Sequence, residues 1–217
     1  PCGTLFPYTT LFRSLLRKHG ANGNHVRAPD AETSEGRTAV EVEARRAMLR
    51  AYRFFRKQPG LKNFRVEWIS PEAGIRETVT IKGKATVTVE DYEAGKVYED
   101  AICYAFYPID EHLNDGKGFN ARRLDHHVLP TIPRGALLPA GSQFFLVAGR
   151  CLSSDREANS ALRVECPCFA MGQAAGAMAA LSAEKGVDPE DLPLEDVYAL
   201  LRAHDAILPG DVTLDGE

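Results

Sequence analysis

Apolar residues from Ala39 onward recur at steps of three, four or seven, as Val42, Leu49, Tyr52 and Phe55, with Glu41, Glu43, Arg45, Arg46 and Arg50 between them. That spacing predicts an amphipathic helix, stopped by Gln58-Pro59-Gly60. The preceding residues 15–36, with Gly20, Asn22, Gly23 and Asn24, read as loop. Phe64, Val66 and Trp68 alternate with Arg65, Glu67 and Ile69, the period of a half-buried strand. Two β-branched runs, Thr78 to Ile81 and Ala85 to Val89, flank Lys82-Gly83-Lys84 and predict a hairpin whose turn uses glycine for positive φ. Thr88 to Asp91 has the capping-box spacing and predicts a short helix ending at Gly95. Ala101 to Phe106 reads as another strand, and Pro130, Pro133 and Pro139 mark an irregular connector. Phe144 to Ala148 is a short apolar run, as in a strand buried on both faces. Cys166 to Ala183 carries no charge, yet its Ala, Gly and Ser content suits a buried helix of a soluble protein better than a membrane span, with Lys185-Gly186 as its stop. Leu194 to His204 is a last amphipathic helix with Val197, Leu200 and Leu201 inward.

Composition narrows the class. The chain has 217 residues, 44% hydrophobic and 26% charged, so it is long enough for one large domain or two small ones. A formal charge of −4, with basic residues scattered among acids, argues against a nucleic-acid binder. Five cysteines, Cys2, Cys103, Cys151, Cys166 and Cys168, lack the paired spacing of a secreted disulfide framework. A reducing compartment, the cytoplasm, is the expected home. No ligand cluster suggests a metal site.

The first residues need separate treatment. Thr4 to Ser14, TLFPYTTLFRS, resembles the in-frame translation of a short-read sequencing adapter, as in a metagenomic assembly. Residues 1–14 are therefore expected to be an artefact, with the natural protein beginning upstream of Leu15 and a signal peptide left open.

Chemistry concentrates near the C-terminus. An apolar run, Gly149-Arg150, a short polar excursion and then a small-residue helix make the shape of a phosphate or cofactor cradle, because a helix start presents unpaired N–H groups and partial positive charge. Gly172, Ala175, Gly176 and Ala179 recur at three- and four-residue spacing, which admits a flat ligand or simply another packed element.

Leu146-Val147-Ala148-Gly149-Arg150-Cys151-Leu152-Ser153, then Arg163-Val164 and Met171-Gly172-Gln173-Ala174-Ala175-Gly176, resemble the C-terminal part of the FAD-dependent oxidoreductase family. Gly74 to Thr78, Val89 to Asp91, Tyr107 to His112 and Ile132 to Pro139 resemble upstream motifs of that family in the same order, so the likeness covers roughly Arg37 to Pro209. Three departures stand out. Arg134 and Gly135 replace a family Tyr-Arg, Glu165-Cys166-Pro167 replaces Met-Pro-Thr, and the GxGxxG fingerprint that holds the pyrophosphate is not in this sequence.

The resemblance implies an α/β fold class, here an α+β fragment: the C-terminal portion of a two-domain enzyme. Residues 37–143 would form a helix plus a mostly antiparallel β-rich substrate or cap region. Residues 144–209 would supply a strand and helix returning to the FAD-binding fold, with 210–217 a tail. FAD is the implied cofactor, and the implied function is hydride transfer from an unknown small-molecule donor. The missing N-terminal FAD-binding region is the implied partner, leaving the fragment inactive alone. Ala148, Gly149, Arg150, Cys166, Cys168, Phe169, Gly172 and Gln173 would line the cofactor, Arg150 facing the pyrophosphate and the helix start facing the pyrimidine edge of the flavin ring. Cys168 would have a thiol pKa lowered by the helix start, and a Cys166–Cys168 dithiol is disfavoured by strain. Arg163 would touch the flavin edge or substrate, or be structural, and His112 is the candidate general base. Arg76 and Glu77 suit a structural ion pair, and His126-His127 a solvated connector. The rival class is a non-catalytic binding or assembly module in which the helix merely packs.

Overall fold

The computed structural model describes residues 26–27, 30–112, 119–125 and 127–211, with His112 and Phe119 described by backbone alone. The adapter-like stretch, most of the 15–36 loop, His126 and nearly all of the tail thus lie outside the described residues. The chain divides into two compact units, one through Thr78 and one from Val79.

In the first unit, α1 spans Ser34–Arg56. It starts earlier than the periodicity alone predicts because Thr33 caps it, its Oγ1 accepting from the Gly36 N–H at 3.0 Å. Its buried face is Gly36, Val40, Ala47 and Phe55. The predicted stripe is corrected at Val42 and Leu49, which are 43% and 52% exposed. Phe55 keeps its place because Phe64 packs on it, ring centroids 5.2 Å apart. Residues 64–69 are not a strand, and Trp68 is 76% exposed. Alternation without a neighbouring strand cannot make a ladder.

In the second unit, the predicted 78–89 hairpin does not form. Residues 81–88 instead pass between two other segments, bending at Lys84-Ala85. Lys84 N–H donates to the Leu138 carbonyl and Ala85 N–H to that of Gly135, while on the other side Ile81 and Val87 N–H groups donate to the carbonyls of Cys151 and Ser153. Partners on both sides outcompete a local turn. Gly83 has no positive φ; a Cβ there would come within 2.6 Å of the Ser153 Cβ and 2.9 Å of the Gly135 carbonyl oxygen. Close approach, rather than backbone freedom, requires glycine. Gly135 is held to the same rule by Ala85, whose Cβ would lie 2.9 Å from a side chain at that position.

Helix α2, Val89–Glu93, forms at the predicted capping box, Thr88 Oγ1 accepting from the Asp91 N–H. Strand β1, Ala101–Tyr104, pairs antiparallel with β4, Thr131–Pro133, and β2, Ile109–His112, pairs antiparallel with β3, Phe119–Arg122. A 3₁₀ turn, Arg134–Leu137, follows β4. Then come α3, Arg156–Leu162, α4, Glu165–Lys185, and α5, Leu194–Ala203. Asp155 serves two helices at once: Oδ1 caps α3 at the Ala158 N–H, and Oδ2 accepts from the Val89 N–H at the start of α2. Ile102, Ile132, Leu152, Leu162, Met171 and Met178 centre one core.

Two expectations about the C-terminal part are corrected. Residues 144–148 do not form a strand: Phe144 has φ +53°, Phe144 and Phe145 are 66% and 56% exposed, and Val147 N–H to the Leu137 carbonyl is the ladder-like bond present. No described strand lies alongside to pair with them. Helix α4 forms where predicted and ends at Gly186, φ +67°, but it is buried along one side only. No described helix is long and apolar enough to cross a membrane.

Candidate functional site

The apolar run leads into a four-residue turn, Gly149 to Leu152, closed by Leu152 N–H donating to the Gly149 carbonyl at 3.1 Å. Gly149 has φ +86°, a value that favours glycine. A Cβ at this position would meet only the Cys168 Sγ, at 3.8 Å, so the turn sits against the first turn of α4. Asn159, on α3, reaches the same turn; its Nδ2 donates to the Arg150 carbonyl and to Ser154 Oγ, each at 3.1 Å. Ser153 Oγ and Thr86 Oγ1 are 2.9 Å apart, fastening the strip beyond the turn to the crossing segment.

No side chain caps α4 at Val164, and Pro167 supplies no N–H, so the donors of this helix start are few and uncapped. Along α4, Met171, Ala174, Met178 and Ser182 face inward, against β1 and α5. On the other side Gly172, Gln173, Gly176 and Ala179 are exposed, and a Cβ built on either glycine meets nothing within 4 Å. Packing within the described chain therefore does not account for the small residues on that side.

The cofactor residues named from the sequence thus cluster in part. Gly149 adjoins Cys168, and the charge of Arg150 acts on the Cys168 thiol, while the Ala148 carbonyl accepts from the Cys151 thiol at 3.6 Å. Cys166 and Phe169 are exposed beside them, Phe169 at 74%. Gln173 is otherwise engaged, its Nε2 donating to the His204 carbonyl beyond α5 at 2.9 Å. Cys166 and Cys168 are both free thiols, two positions apart on a helix, where side chains do not face each other.

The expected activation of Cys168 is corrected. Burial pushes its thiol pKa up, Arg150 opposes this, and Cys151 and Glu165 add to it. The lining of a half-buried turn outweighs an uncapped helix start. Cys103, deep in β1, is pushed up to about 12 by burial.

Arg163 is 9% exposed and its Nη2 donates to the Asp110 carbonyl at 3.0 Å, while Ser160 Oγ accepts from the Asp110 N–H. These bonds tie β2 to the end of α3. Glu111 meets Arg156 at 3.3 Å. His112 ends β2 opposite Phe119; its side chain lies outside the described residues. Asn159 escaped the sequence reading, although a poor helix former inside a seven-residue helix is a signal that its side chain has another use.

Compared with known proteins, residues 6–201 match the profile of the family described as FAD dependent oxidoreductase. Neither a curated protein nor a solved structure gives a match.

Proposed function

The chain belongs to the FAD dependent oxidoreductase family, and from that premise we propose that it is the C-terminal part of an enzyme whose flavin lies on the Gly149 turn and the outer side of α4. Membership carries the general function, oxidoreduction with FAD. The observation that carries the finer reading is the small-residue side of α4, open at Gly172 and Gly176 and continuous with a positive-φ glycine at the helix start.

The residues fit a flat ring with a polar edge. The open side offers a surface without protruding side chains, and the uncapped start offers partial positive charge to electron-rich oxygens. Bound there, the isoalloxazine would accept a hydride from the donor. Arg150, exposed at the turn, supplies a cation for the pyrophosphate. Phe169, exposed near the helix start, would lie beside the ring. Arg163 holds the Asp110 carbonyl and so fixes the path of β2, and we assign it a positioning role. His112, at the end of that strand, would serve as the base for the hydroxyl proton of an alcohol-type donor.

A strand-turn-helix with the glycine fingerprint supplies the rest of the grip, and this sequence does not contain it. A fluorescence-quench titration of FAD into the 217-residue chain tests both halves of the reading. Expected is weak binding, with a dissociation constant well above about 1 μM. Submicromolar binding would show that the grip is complete without a further segment. No quenching at millimolar FAD would favour the non-catalytic module instead.

A further inference from the structure

Resting on the FAD reading and deepening it, we propose that Asn159 is a positioning residue that turns the Arg150–Cys151 peptide so that the Cys151 N–H is presented to an oxygen of the bound dinucleotide. Asn159 is 3% exposed, and its backbone is fixed because its own N–H donates to the Asp155 carbonyl at 2.9 Å. Its amide donates to the Arg150 carbonyl from inside the protein. The peptide that follows Arg150 is trans, so its N–H points opposite to its C=O. Holding the carbonyl inward therefore turns the Cys151 N–H away from α3. That N–H has no acceptor among the described residues, whereas the Cys151 carbonyl is taken by the Ile81 N–H at 2.9 Å. A backbone donor without a protein partner is open to an acceptor from outside the chain. It sits in the turn where Gly149 lets a ligand come close and where Arg150 supplies a cation.

Ser160, the next residue on α3 and equally buried, provides the control. Its hydroxyl accepts from the Asp110 N–H and donates to the Glu157 carbonyl, away from the turn.

Amide proton–nitrogen spectra of the ¹⁵N-labelled chain, titrated with millimolar FAD, read the proposal directly. In the wild type, the Cys151 amide should shift together with those of Gly172 and Gly176. Ser160→Ala should lower the melting temperature and leave the Cys151 response intact. Asn159→Ala should abolish the Cys151 response while the Gly172 and Gly176 responses remain. Asn159→Asp should lose it at neutral pH and regain it in acid, where the protonated carboxyl again donates to the Arg150 carbonyl. An unchanged Cys151 response in both Asn159 variants, or its loss in Ser160→Ala as well, overturns the proposal. A wild type in which α4 responds and Cys151 does not overturns it while the flavin site stands. If no amide from Gly149 to Gly176 responds, the flavin site falls with it.

Discussion

The two sides of α4 share one backbone and obey different constraints. Inward, Met171, Ala174, Met178 and Ser182 are buried against β1 and α5, where size and shape are set by neighbours. Outward, Gly172 and Gly176 meet nothing, and the smallness of the residues has no cause among the described atoms. A glycine held by packing and a glycine held open for something else look identical in sequence. Gly83 and Gly176 make the same contrast at the level of single residues. Gly83 is wedged between Ser153 and Gly135, and Gly176 faces open space.

Substitutions sharpen that comparison. The largest effect belongs to the inner side: Met178→Ala should cost about 2–5 kcal/mol in urea unfolding, through lost burial and a residual cavity. A loss below about 0.5 kcal/mol, within the usual range for surface substitutions, would mean that the inner side is not the core. Next, Gly83→Ala should cost about 1–3 kcal/mol by overpacking the crossing, read from the same denaturation curves. Opposite in sign, Gly176→Ala should stabilise the apo chain by about 0.5–1 kcal/mol, because alanine is the better helix former and nothing obstructs its methyl. Destabilisation at Gly176 would break the contrast between the two sides.

The smallest effect is titrimetric. Because burial raises the Cys168 thiol pKa on folding, the folded state favours its neutral form. The associated stability is full below the ordinary thiol value and is lost as pH rises through the folded value. Cys168→Ala should therefore flatten the alkaline fall in melting temperature. Iodoacetamide should modify exposed Cys166 before Cys168; the reverse order would mean that the first turn of α4 is not seated on the Gly149 turn.

Local signals made parts of this fold legible. The Thr88 cap, the Gly186 stop and the extent of α5 follow from residues that settle their own geometry. Strands were less so: no described strand pairs with Phe64 to Ile69 or with Phe144 to Ala148, and alternation does not name a partner. The 81–88 segment failed for the opposite reason: its partners lie some fifty to seventy residues away in sequence, beyond the reach of local pattern. In the candidate site, the Gly149 turn and the small-residue side of the helix were legible as local pattern. Asn159 was not, since its work depends on a fold that brings α3 under the Arg150 carbonyl. The Cys168 expectation reversed because a helix start can be inferred from sequence while the burial around it cannot.

The claim that flavin covers the outer side of α4 is tested most directly by placing a reporter on it. In Gly176→Cys, the new thiol has room to sit without disturbing the helix, and its maleimide labelling rate can be followed by peptide mass spectrometry, separately from the native thiols. The account predicts that millimolar FAD slows labelling at position 176 while an engineered Glu43→Cys, outside the unit that carries the proposed site, is unaffected. Equal labelling rates at position 176 with and without FAD would contradict it.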